Sequence, residues 1–207
     1  MGITSYTSES QKEKLFTSMM QPSALNKANL FLKEEREQVE SILLSKKGDI
    51  SNILVIGGGP LTYIDLARKY GCKHICINPF LFTYLNDNKE IDCLSENCDE
   101  LISDKFEDIA PNQLLRKNSL YVFHFNVISY IDDVVEKLDW LAKTGEMIVI
   151  STWLDDEFSR RIKKEYFKEV GSKCTADWKP DCLGISQKSI HKIKRTVSMT
   201  TCINVSA

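Results

Sequence analysis

Apolar positions along the 207-residue chain follow two rhythms. Four short continuous runs, Ile53 to Ile56, His74 to Ile77, Leu120 to Phe125 and Met147 to Ile150, read as strands buried on both faces. Between and before them, apolar residues recur at helical spacing. Leu32, Val39, Ile42 and Leu43 form the stripe of a helix from about Asn26 to Lys46, with Glu34, Glu37 and Glu40 off it. An earlier helix runs through Leu15, Phe16 and Met19 and stops before Pro22, with Ser8 or Ser10 as its cap. Asp132 and Asp133 open a helix through Leu138 and Leu141. Asp155 and Asp156 open another, with Phe158, Ile162, Tyr166 and Val170 at fourfold spacing.

Weaker signals fill the gaps. Ile91 to Leu94 is a candidate third strand, and Asp104 to Asn118 reads as a loop holding a short helix. Glu146 to Thr152 extends the Met147 run into a fifth strand. A stretch between Trp178 and Ile185 is an edge strand or a loop, because Pro180 lacks a ladder donor. From Lys192 to Val205 apolar and polar residues alternate, the period of one strand, which would close a hairpin or pair with the 178–185 stretch. Helices first, then strands alternating with helices, imply an α/β fold with a parallel sheet and right-handed crossovers.

The first strand runs straight into Gly57-Gly58-Gly59-Pro60. Strand, glycine turn and helix together make a seat for an anion: free N–H groups point outward, and no Cβ blocks a ligand. Pro60 suits a first helical turn, where its missing N–H is not needed. In an open parallel sheet the ligand site lies beyond the carboxyl ends of the strands, at the switch point beside the first one. The loops arriving there are 57–62, 78–80, 97–101 and 126–130, with Thr152 and Trp153 after the fifth strand.

Composition narrows the partner. With 27 basic and 29 acidic side chains the formal charge is −2, which gives no basic surface for nucleic acid. No apolar run has the roughly 20 residues of a membrane span, and the N-terminus lacks the pattern of a secretory signal. The expected location is the cytoplasm, and the expected partner a small molecule. The seven cysteines are odd in number and widely spaced, without a Cys-x-x-Cys pair, so reduced thiols and no metal site are expected.

The glycine turn, the strand order and the alternating tail resemble class I S-adenosylmethionine-dependent methyltransferases across roughly residues 50 to 207. Val55-x-Gly57-x-Gly59 is similar to their glycine-rich first motif, and Asn97-Cys98-x-x-Leu101 to their Asp-Ala-x-x-Leu. The resemblance implies a doubly wound, mostly parallel seven-stranded sheet with an antiparallel C-terminal strand. Residues 1–48 would form a helical cover and residues 49–207 the Rossmann-like, cofactor-binding domain. Gly57, Gly58 and Gly59 would accept the amino acid part of S-adenosylmethionine, Asn78 and Pro79 the ribose, and Asn97 and Cys98 the adenine. Asn126 would sit near the sulfonium. Val55, Asn78 and Asn97 stand where that family often carries an acid.

Methyl transfer to a hydroxyl or amine needs in-line placement and a base. His124 and Tyr130 are the catalytic candidates, and Tyr6, Tyr130 and Trp153 the candidate substrate pocket. His124 is open to a second reading, as a histidine of the core. The N-terminal helices are open to two as well: a layer packed on the sheet, or a lid over the ligand. Three other functions compete. Gly-Pro-Leu-Thr at 59–62 looks like part of the Gly-Pro-Leu-Pro-Leu-Thr run of nicotianamine synthase-like enzymes, which transfer the aminocarboxypropyl arm. A nicotinamide-dependent oxidoreductase would need a third glycine where Thr62 stands and an acid where Asn78 stands. A non-catalytic binding module is the last.

Overall fold

The computed structural model describes residues 28–80, 98–125, 127–131, 137–138, 140–141, 144, 146–151, 157–169, 193–195 and 201–203. Its centre is a parallel sheet in the order β3-β2-β1-β4-β5. The strands are β1 (Asn52–Ile56), β2 (Lys73–Ile77), β3 (Glu100–Ile102), β4 (Ser119–Phe123) and β5 (Met147–Ile150). The chain winds outward from β1 to β3, then crosses back to lay β4 on the other side of β1. The switch point therefore lies between β1 and β4.

Alternate residues of each central strand enter opposite cores, as the pleat requires. Leu54, Ile56, Tyr121 and Phe123 face a core shared with Phe106, Leu114 and Leu141. Ile53, Val55, Leu120 and Val122 face the other, built with α1 (Asn29–Ser45) and α2 (Ile64–Tyr70). Continuous apolar runs are the sequence form of a sheet covered on both sides.

Helix α1 brings Val39, Ile42 and Leu43 to the second core. Two exposed ion pairs, Arg36–Asp65 and Lys69–Glu40, flank the α1–α2 seam. Pairs this exposed contribute little to stability. The described part of the cover is thus a layer packed on the sheet. Pro111–Leu114 forms the short α3, Glu157–Glu169 forms α4, and Phe106–Asp108 and Val127–Tyr130 are 3-10 turns.

Two expectations need correction, and a third falls elsewhere: the described strand beside β2 is Glu100–Ile102, and the candidate Ile91 to Leu94 lies outside the described residues. The alternating tail is two strands rather than one: β6 (Ile193–Arg195) pairs antiparallel with β7 (Thr201–Ile203), in the register Ile193↔Ile203. Strict alternation continues through both arms of a hairpin, so it does not reveal where the chain reverses. Among the described residues this ribbon forms its own sheet, although β7 lies beside β5. Finally, α2 starts at Ile64, and Pro60 sits in the preceding turn, not in the helix. The first helix, the 178–185 stretch and the starts of the helices opened by Asp132 and Asp155 lie outside the described residues. No helix among the described residues is long and apolar enough to cross a membrane.

Gly57 has φ +78°, and a Cβ there would stand 2.2 Å from Val127 Cγ2. Gly48 has φ +92° with nothing within 4 Å of such a Cβ. Left-handed strain alone costs about 1–2 kcal/mol, and overpacking adds roughly 1–3 kcal/mol. Gly57→Ala should therefore destabilise the fold more than Gly48→Ala, by the overpacking difference, in urea unfolding. Equal losses would show that Val127 yields freely.

Candidate functional site

The carboxyl ends of β1 and β4 meet over a buried carboxylate. Glu35, fully buried on α1, accepts hydrogen bonds from the Tyr63 hydroxyl and from His124 Nδ1, both at Oε1. Its Oε2 accepts the Phe125 N–H at 2.8 Å. An ionised carboxylate is acceptor-only, so three donors suit it. Burial opposes ionisation of Glu35. The attraction and hydrogen bond of His124, the Tyr63 hydroxyl and the Phe125 N–H outweigh it and hold the carboxyl below its ordinary range.

Two of these partners are strained. Tyr63 has φ +64° and Phe125 φ +45°, the left-handed region that bulky residues avoid. Each such residue costs about 1–3 kcal/mol and persists only where its surroundings hold it. Glu35 bonds both. Aromatic packing adds to the hold: Phe125 meets Phe31 of α1 and Tyr166 of α4 edge-on, with ring centres 5.0 and 5.1 Å apart.

The glycine turn is braced from below. Gly57 N–H donates to Ile77 O at 2.9 Å, and Thr62 N–H to Gly59 O at 3.0 Å. Gly58 O accepts the Asn78 side-chain amide at 3.0 Å. A Cβ on Gly58 would lie 2.7 Å from Val55 and 3.1 Å from Thr62. The turn's first two glycines are therefore demanded by the protein's own packing. The N–H groups of Gly58 and Gly59, both buried residues, have no hydrogen-bond partner among the described residues. Adjacent N–H groups of this kind make an anion-binding concavity. The turn itself thus keeps two adjacent donors without a described acceptor. The seven-residue α2 does not supply them: Asp65 in its first turn already accepts the Leu66 N–H.

Asn78 behaves differently from the expectation. Its amide donates to Gly58 O, its Oδ1 accepts the Phe80 N–H at 2.9 Å, and it is 1% exposed. The side chain ties the loop after β2 to the glycine turn. Pro79 sits half-buried in the turn beside it.

Cys98 precedes β3. From the register Ile75↔Glu100 it lies level with Lys73, four strand positions or roughly 13 Å before the last residues of β2 and β3. Its thiol contacts His74 Nδ1 at 3.1 Å, while His74 Nε2 lies 2.6 Å from Thr62 O and so carries the proton. Burial lowers the pKa of His74 and raises that of Cys98, so both are neutral structural partners. The residues past the true third strand are Ser103 and Asp104.

Of the predicted site residues, the structure brings together Gly57, Gly58, Gly59, Asn78 and His124, and places Tyr130 at the end of the 3-10 turn after β4. Tyr6, Asn97, Asn126 and Trp153 lie outside the described residues. Sequence reasoning missed Glu35 and Tyr63. The signal for Glu35 was its register: it falls three residues after Leu32 and four before Val39, an acid inside an apolar stripe. Buried Ser151, next after β5, has a hydroxyl without a partner among the described residues. Those residues contain no group of three or more side chains able to hold a metal.

No protein-family model matches the chain, and no curated protein does. Solved structures do. Magnesium protoporphyrin IX methyltransferase from Synechocystis PCC 6803, with bound SAH, superposes with a TM-score of 0.57 at 10% identity, covering 98% of this chain and 97% of that one. The SAM-bound form of that enzyme gives 0.54 at 8% identity, covering 96% and 92%. A DUF574 family protein from Streptomyces avermitilis MA-4680 gives 0.52 at 12% identity, covering 96% and 91%. The chain has the class I methyltransferase fold.

A folded-state pKa below the unfolded one means that Glu35 stabilises the fold above its unfolded value, about 4.3, and that this is lost as pH falls through the lower folded value. Urea unfolding at about pH 7 and about pH 3 should show a smaller acid loss for Glu35→Gln than for the wild type. At neutral pH the variant should be about 1–3 kcal/mol less stable. An unchanged acid loss would mean that Glu35 is not ionised in the fold.

Proposed function

We propose that the chain is an enzyme that transfers the methyl group of S-adenosylmethionine to a small molecule. The observation that carries this reading is the pair of N–H groups at buried Gly58 and Gly59, without a partner among the described residues, at the carboxyl end of β1 beside the switch point. They fit the cofactor's carboxylate, and the fold supports the rest. When bound, the cofactor supplies an electrophilic methyl group on a sulfonium. The chain's part is to hold, orient and exclude water. Ser103 and Asp104, past β3, take the adenine-side position that the sequence suggested for Asn97 and Cys98. Asn126, Tyr130, Trp153 and Tyr6 remain candidates for the acceptor pocket, and Ser151 joins them.

On this reading the β6–β7 ribbon continues the sheet past β5, which makes seven strands in all, and residues 1–48 are the cover. The near-neutral charge supports a small acceptor rather than nucleic acid or a membrane surface.

Calorimetry with S-adenosylmethionine and S-adenosylhomocysteine tests the cofactor. Both should bind the wild type, and Gly59→Ala should weaken binding at least tenfold, about 1.4 kcal/mol, with an unchanged circular dichroism spectrum. No binding at millimolar concentration would sink the reading. The nucleoside product then identifies the group moved: S-adenosylhomocysteine for methyl, methylthioadenosine for the aminocarboxypropyl arm.

A further inference from the structure

We infer that Glu35 is a positioning residue for a proton-accepting His124. The inference rests on the methyl-transfer reading for the identity of the reaction, but its geometry stands alone. Glu35 accepts from three donors and offers none, so the shared proton of the Glu35–His124 contact sits on Nδ1. With Nδ1 carrying that proton, Nε2 is the ring nitrogen left to accept one. No described residue bonds Nε2. A carboxylate that fixes the tautomer of a histidine, and then balances the imidazolium that forms, is the division of labour seen in hydrolytic triads.

A purely structural role explains less. An apolar side chain would join α1 to the sheet at a smaller desolvation cost than a buried carboxylate. The strain also gathers at this spot: of the three non-glycine residues with positive φ among the described residues, Tyr63 and Phe125 both hydrogen-bond Glu35. Strained residues cluster where a side chain must be held against its preference. His124 is the residue between them in space. Its ring centre lies 5.8 Å from that of Tyr63 and 6.0 Å from that of Phe125.

In the reaction, His124 Nε2 takes the proton that the acceptor's hydroxyl or amine loses as its oxygen or nitrogen bonds to the methyl carbon. The electron pair of the broken carbon–sulfur bond stays on the donor's sulfur, which becomes a thioether. Glu35 balances the imidazolium until solvent removes the proton. The titratable groups around His124 are Glu35 on α1 and Tyr63 after β1, with Tyr166 on α4 beyond Phe125.

Two variants and two readouts test this. Long-range proton–nitrogen NMR should show His124 with Nδ1 protonated and Nε2 bare in the wild type, and a mixture of tautomers in Glu35→Gln. His124→Asn keeps a side-chain N–H near the Nδ1 position but has no Nε2, so it should fold and bind S-adenosylhomocysteine like the wild type. Turnover of S-adenosylmethionine with a panel of phenols, carboxylic acids and primary amines should fall about 10²–10⁴-fold in His124→Asn, and in Glu35→Gln with a changed pH profile. Full turnover in folded His124→Asn overturns the role of His124. An Nε2–H tautomer in the wild type overturns the role of Glu35. A wild type that binds cofactor yet transfers nothing to any acceptor overturns the methyl-transfer reading instead, and the NMR result still decides the positioning claim.

Discussion

The structure depends on one buried carboxylate. Glu35 projects from the helix before the sheet and gathers three donors from the ends of β1 and β4. A charge in such a place must be fully satisfied, since removing a partner from a buried pair costs about 3–5 kcal/mol. The geometry around it is correspondingly fixed. Tyr63 and Phe125 hold left-handed conformations, and α1 cannot slide along the sheet without breaking all three bonds. Helix α1 is thus a layer of the core, the first of the two roles the sequence left open, and it carries Glu35 to the segments that follow β1 and β4.

The glycine turn shows a similar division. Gly57 makes room for Val127, and Gly58 for Val55 and Thr62. Asn78 fastens the turn to the loop after β2 through Gly58 O. These contacts fix the backbone and leave the Gly58 and Gly59 N–H groups without a partner among the described residues, as a rigid pair of donors. Neutral Asn78 suits its bracing role: a carboxylate there would meet the Gly58 carbonyl oxygen with no proton to donate.

What the sequence revealed tracks how strongly each residue's environment is local. The strands β1, β2, β4 and β5 were readable because a sheet covered on both faces writes unbroken apolar runs. Helix α1 was readable from its stripe to within a few residues of Asn29–Ser45. Strand β3 was not: it is three residues long and sits at the sheet edge, and Glu100 and Leu101 are exposed, so it carries no apolar signature. That shift places Cys98 before the strand, and Ser103 and Asp104 after its carboxyl end. Glu35 was hidden for another reason. Its partners lie 28 to 90 positions away along the chain, and only a fold supplies them. His124 was legible as a candidate but its meaning was not, because a core histidine and a held base share one sequence pattern.

The most direct measurement is an amide NMR titration of the isotope-labelled protein with S-adenosylhomocysteine. If the nucleoside's carboxylate seats on the turn at the end of β1, the Gly58 and Gly59 amide signals move most, with smaller shifts at Phe125 across the switch point. Saturating binding that leaves those two amides unmoved, or no binding at millimolar nucleoside, would contradict the account.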